Sequence, residues 1–269
     1  MSQIRHDVLY GVTLAAVIGE DKQLYAIYAQ PDDTRPYLHD IYRATVTHYA
    51  AGQHAYFLDL DGTHKGLLPK RGTMSLQEGQ KIIVSIERPA TLDKQARCGL
   101  VGEDITLFPK DGLIERGANP LARAQKDYPE ITAIESGLAD FDQAILELAQ
   151  SHVTLENGIS LIIEQTAALT AIDLNSAGNK LKPYEVNYRA ATAIARQLQL
   201  RNIGGQVVID FLKLNDKKQQ ADLDSYWRRL TRNDNCQIVT HGFTKMGLFE
   251  FTRVRQGLSL AEVFGLISA

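Results

Sequence analysis

The chain has 269 residues, 44% of them hydrophobic and 23% charged, with a formal net charge of −3. That composition belongs to a folded chain with room for one large or two smaller domains; it excludes disorder and a histone-like polycation, so contact with nucleic acid must come from local basic patches. Cys98 and Cys236 are far apart and have no CxxC partner, which excludes a disulfide framework and a structural zinc site and predicts two buried thiols.

The start, "MSQIRHDVLYGV", carries charge where a signal peptide needs an apolar core. No run of about 18 apolar residues follows anywhere, so a cytoplasmic chain with no membrane segment is expected. Residues 8–30 alternate in short apolar runs around Glu20-Asp21-Lys22, a hairpin signal, and "DDTRP" then reads as a linker. From Tyr42 to about Leu107 the pattern is all β: "IYRATVTHYA", "HAYFLDLDG", "KGLLP", "QKIIVSIER" and "RCGLVGEDITLF". Five short strands with turn residues between them fit a small OB-fold barrel. The stretch "PKDGLIERGANPLARAQKDYPE" breaks both periodicities with Gly112, Gly117, Pro120 and Pro129 and reads as a connector.

Beyond it, "IESGLADFDQAILELAQS" places Leu138, Phe141, Ile145 and Leu148 on a helical period, and "SLIIEQTAALTAIDLNS" reads as a hairpin. The spacing predicts a helix from Tyr184 to Leu200, with Pro183 at its entrance and Gly204-Gly205 past its end. The strand "QVVID", an amphipathic helix over about Lys217 to Arg232, the strands "CQIVT" and "LFEFTRVR", and a short helix near "LAEVFGLI" complete the pattern. The fold class is mixed α+β. Its expected parts are a β segment over 1–36, a barrel over 37–108, a connector with a helix over 109–150, and an α/β domain over 151–269.

"TAIDLNSAGNK" ends an apolar strand on Asp173 and Asn175, and "QVVIDF" ends another on Asp210. Strand, helix, strand predicts a right-handed crossover between parallel strands. Parallel strands share their C-terminal edge, so Asp173 and Asp210 come together, and the two-residue period puts Asn175 on the face of Asp173. Neighbouring carboxylates repel unless they share a proton or a hard cation, and Mg²⁺ suits two carboxylates, waters and a phosphate. An aspartate at a strand end also caps turns and helices, and the pattern alone leaves both readings standing.

"LTAIDLNSAG", "VNYRAATAIARQLQLRNIGGQVVIDF" and "THGFTKMGLFEFTRVR" resemble the DNase I-like catalytic subdomain of the ribonuclease E/G family over roughly Asn157 to Glu262. The resemblance implies an active site of Asp173, Asn175 and Asp210, with Mg²⁺ held by the two aspartates. "IYRATVTHYAAGQHAYFLDLDGTHKGLLP" and "GQKIIVSIERPATLDKQARCG" resemble that family's S1-type RNA-binding barrel. There the resemblance implies that Phe57 stacks on RNA and that Lys94 contacts it, while Leu67 stands where a second stacking aromatic is found. Lys180, Lys182, Lys245, Arg253 and Arg255 are further candidates for holding the strand, the last three matching basic positions of the family.

The segment after "GLIERGAN" is shorter than the family's 5′-sensing and RNase H-like region, so 1–36 is expected to be an RNase H-like remnant. Arg116-Gly117 stands in place of the Arg-Thr pair that reads a 5′-monophosphate, and no CPxC zinc link is present, so neither 5′-end sensing nor a zinc-linked dimer is expected. The implied activity is Mg²⁺-dependent hydrolysis of single-stranded RNA to a 5′-phosphate and a 3′-hydroxyl. Two rivals stand beside it: metal-independent cleavage with His241 as general base, and a non-catalytic RNA-binding adaptor.

Overall fold

The computed structural model describes residues 1–91, 94–102, 110–176, 178 and 180–265. The expected end of the last barrel strand, from Glu103 to Leu107, the boundary at 108, and the chain beyond Gly265 lie outside the described residues.

Strands β1 (Gln3–Leu9), β2 (Val12–Ile18) and β3 (Leu24–Pro31) form an antiparallel meander. The run read as one strand before Glu20 is two strands, because Tyr10 and Gly11 both take positive φ, at 54° and 72°, and turn the chain in two residues.

The barrel follows as β4 (Ile41–Ala50), β5 (Ala55–Asp59), β6 (Lys65–Pro69), β7 (Lys81–Arg88) and β8 (Ala96–Gly102). Pairing runs from β4 through β5, β6, β8 and β7 back to β4, so these five strands close on themselves, an OB-like barrel without a free edge. Alternation sends Tyr42, Ala44, Val46, Tyr56, Leu58, Ile82, Val84 and Cys98 inside. Burial pushes the Cys98 thiol up to about 12, which keeps it protonated and inert, as expected for a core thiol.

The segment read as a connector carries elements of its own: β9 (Gly112–Glu115), α1 (Pro120–Asp127), β10 (Ile134–Ser136) and α2 (Asp142–Ala149). β9 joins β4, and β10 pairs in parallel with β1. The helical period read over Leu138, Phe141, Ile145 and Leu148 opens as a 3-10 turn at Ala139–Phe141 and becomes α2 at Asp142, after Gly137, at φ 100°, has ended the strand before it. The meander is covered on both faces. Ala124 of α1 packs against Ile4, Ala15, Val17 and Tyr28, while Ile145 and Ala149 of α2 pack against Leu14, Ala16 and Ile18. Burial on both faces explains why β2 reads as a continuous apolar run.

The last sheet contains β11 (His152–Thr154), β12 (Ser160–Gln165), β13 (Thr170–Asn175), β14 (Gly205–Asp210), β15 (Ile238–Phe243) and β16 (Phe249–Arg253), in the order β11-β12-β13-β14-β16-β15. Between β13 and β14 runs α3 (Pro183–Leu200), and α4 (Lys217–Leu230) follows β14. Short α5 (Leu260–Val263) returns to the N-terminal sheet. Both long helices cover one face of the last sheet, where Ile172, Leu174, Val207 and Ile209 meet Ala190, Ile194, Leu198 and Trp227. No helix among the described residues is long and apolar enough to cross a membrane.

Candidate active site

β13 and β14 pair in parallel through α3, and Asp173 lies opposite Asp210 in the ladder. Their backbones are thus about 4.8 Å apart. Thr170, Ile172 and Leu174 point into the core, so Asp173 and Asn175 point to the open face, and Asp210 does the same beside buried Val207 and Ile209. All three polar side chains are exposed. Asn175 Nδ2 donates to Asp173 Oδ2 at 2.8 Å.

This donor set fits a hard divalent cation. Two carboxylates on an open face supply anionic oxygens, and among the described residues no group of three His, Cys, Asp or Glu is gathered to hold a metal by itself. The remaining positions would fall to water and substrate oxygens, the pattern of Mg²⁺ rather than of a closed zinc site.

The ends of β14 differ. Ile209 pairs with Phe249, so the turn between β15 and β16, which carries exposed Lys245, lies on the edge of Asp210. Lys180 and Lys182, both exposed, follow β13 on that same edge. None of these three lysines forms an ion pair among the described residues.

Arg253 is a correction. It pairs with Gly205, five residues before Asp210, which puts it about 16 Å away along the strand. It is 1% exposed, and its guanidinium binds Asp234 at 2.8 Å and donates to the Ile203 carbonyl at 2.8 Å. A side chain enclosed in this way cannot reach RNA. Arg255 lies at that far end too, pairing with Glu262 at 3.3 Å and packing over Gly204 and Gly205; it holds α5 and the strand entrance together.

On the barrel, Phe57 faces outward between core residues Tyr56 and Leu58, and its ring stacks on His48 at 4.6 Å and 8°. It is therefore not barrel core. Leu67 pairs with Phe57 and Arg97 with Leu67, which extends a row of outward side chains across three strands. Lys94 is exposed, and its Nζ donates to the Ala167 carbonyl at 3.4 Å in the loop between β12 and β13. His241 lies at a bulge of edge strand β15, its Nε2 3.4 Å from the Thr252 hydroxyl, two strands from Asp210.

Residues 123–256 match the family model described as Ribonuclease E/G family. The chain belongs to the ribonuclease E/G family. It is 42% identical over 127 residues to Ribonuclease E of Synechocystis sp., covering 45% of this chain and 19% of that protein. Over 119 residues it is 39% identical to Ribonuclease E of Escherichia coli, which covers 42% of this chain and 11% of the relative. Ribonuclease G of Escherichia coli is 33% identical over 132 residues, with 47% of this chain and 27% of that protein covered. The chain therefore spans a minor part of the length of these relatives.

One site residue escaped the sequence reading. Asn187, 0% exposed on α3, donates from Nδ2 to the Leu212 carbonyl at 2.8 Å and accepts from the Leu212 N–H at 3.0 Å. The chain leaves the sheet after Asp210, so this two-point clasp holds the strand where its ladder stops. The available signal was an amide inside an apolar helical stripe, between Val186 and Ala190. Replacing Asn187 with leucine removes the side-chain partner of both Leu212 backbone groups, which are part-buried, and is expected to cost about 1–3 kcal/mol in urea denaturation. Arg253→Met breaks a buried ion pair and is expected to cost about 3–5 kcal/mol, while RNA affinity per folded molecule stays unchanged in filter binding.

Proposed function

We propose that the chain is a Mg²⁺-dependent endoribonuclease that hydrolyses single-stranded RNA at Asp173, Asn175 and Asp210. The observation that carries this reading is the in-register pairing of Asp173 with Asp210 on an open sheet face, in a ribonuclease E/G family chain. Residues 151–265 then act as a DNase I-like catalytic unit, and the barrel acts as an S1-type RNA-binding module.

Asp173 and Asp210 would hold the ion. Bound there, Mg²⁺ supplies polarisation of a phosphoryl oxygen and a water acidic enough to attack near neutral pH. Asn175 spends one Nδ2 hydrogen on Asp173; its other hydrogen and its Oδ1, which meet no partner among the described residues, would orient the phosphate or the attacking water without adding charge. Water as nucleophile leaves the phosphate on the 5′ side of the downstream product and a hydroxyl at the 3′ end upstream. The ribose 2′-hydroxyl takes no part in the bond change, so selection of RNA over DNA rests on binding. Lys180, Lys182 and Lys245 surround that edge with cations for neighbouring phosphates. Phe57, backed by His48, offers a stacking surface, typically worth about 1–3 kcal/mol per base, and exposed Lys94 adds charge on the barrel side.

Indifference to the 5′ end is supported by the surroundings of Arg116. Its Nη1 donates to buried Asp40 at 2.7 Å and to the Arg35 carbonyl at 3.0 Å, and the guanidinium lies over the Tyr37 ring. The Gly117 N–H donates to the other Asp40 oxygen, and a Cβ at that position would meet the Leu38 carbonyl at 2.3 Å. The pair is committed to joining the barrel to the preceding loop, with no room for a threonine.

The test is cleavage of a short single-stranded RNA, with a 5′-hydroxyl or a 5′-monophosphate, by wild type and Asp173→Asn in Mg²⁺ or EDTA. Wild type in Mg²⁺ is expected to cut both RNAs at equal rates, Asp173→Asn to be slower by about a hundredfold or more, and EDTA to stop cleavage. Tight binding without metal-dependent cleavage would leave an RNA-binding adaptor, and cleavage in EDTA would point to His241.

A further inference from the structure

On the helix-covered side of the last sheet, away from Asp173 and Asp210, a cleft of about 1170 Å³ opens between the N-terminal sheet unit and α3. Its floor includes Arg201, which is 5% exposed. The Nε of Arg201 donates to Gln197 Oε1 at 2.7 Å and its Nη1 to the Gln150 carbonyl. No carboxylate pairs with it among the described residues. Loss of hydration alone lowers its pKa to about 10, which leaves it charged at neutral pH.

A buried guanidinium without a counter-ion is costly, and an anion supplied from outside would relieve it. The rim is cationic too. Arg189 and Arg196 project from α3 seven residues apart, about 10 Å along the helix. Lys22 reaches in from the turn between β2 and β3. Against these four cations the cleft holds two carboxylates, Glu147 and Glu156, and Glu147 already accepts from Gln143. Phe141, Leu148 and Val153 give the remaining wall an apolar character.

We propose that this cleft is a second binding site, distinct from the catalytic edge, for a nucleoside phosphate. Guanidinium forks suit phosphate oxygens, and the apolar wall suits a base and sugar. The volume lies just above the usual range of small-ligand sites, about 300–1,000 Å³, and admits one or two nucleotides. The ligand is either a free nucleotide or a short stretch of RNA strand, which share this chemistry.

The site does not depend on the endonuclease reading, and its test is binding rather than turnover. The full chain is titrated calorimetrically in EDTA with adenosine 5′-monophosphate, with inorganic phosphate, and with a triadenylate RNA. Arg189→Glu/Arg196→Glu is run beside Phe57→Ala and Asp173→Asn. Both arginines are exposed, so the double variant is expected to fold, which circular dichroism checks, whereas a change at buried Arg201 would put folding in question. Adenosine monophosphate is expected to bind one to one, at least tenfold more weakly to the double variant and unchanged in the other two. Arginine-dependent binding of triadenylate alone would assign the cleft to an RNA strand and also support the site. If no probe binds, or if the double variant binds all of them as wild type does, the proposal is overturned.

Discussion

The parallel pairing of β13 with β14 is the constraint on which the candidate active site depends. It sets Asp173 opposite Asp210, and a slip of one residue would turn either carboxylate into the apolar core. That core holds the register. Ile172 and Ile209 lie opposite each other beneath α3, and Trp227 closes the layer against Phe249 and Phe251. The same alternation that buries these side chains exposes the aspartates, so packing on one face sets up the repulsion on the other.

The arrangement past Asp210 serves that register. Once β14 leaves the ladder, Asn187 takes over the backbone of Leu212 as a neighbouring strand would. At the opposite end, Arg253, Asp234 and the Ile203 carbonyl form a closed polar cluster that fixes the strand entrance. One long crossover helix therefore does two jobs. Its inner face positions the aspartate-bearing strands, and its lateral face lines the cationic cleft.

Much of this was legible in the residues. Strand, helix and strand imply parallel pairing, and parallel pairing implies a shared edge, so Asp173, Asn175 and Asp210 could be brought together from spacing alone. The five barrel strands were readable because one face of each is buried and one is not. The failures have physical causes. β10 has only three residues, all exposed, and exists because it pairs with β1 some 130 positions earlier, which no local period records. Arg253 shares the parity of Phe249 and Phe251, which marks the core side, so the strand's register buries a charge that residue type alone would leave in solvent. Asn187 likewise sits on the buried stripe of α3, where a polar residue has to find backbone partners.

The most direct measurement of the central claim is the binding of Mn²⁺, as a paramagnetic stand-in for Mg²⁺, followed by electron paramagnetic resonance with and without a non-cleavable single-stranded RNA. If Asp173 and Asp210 form a divalent-ion site, wild type takes up an ion that RNA tightens, and Asp173→Asn or Asp210→Asn removes it while circular dichroism stays unchanged. Equal Mn²⁺ uptake by wild type and both variants would contradict the account.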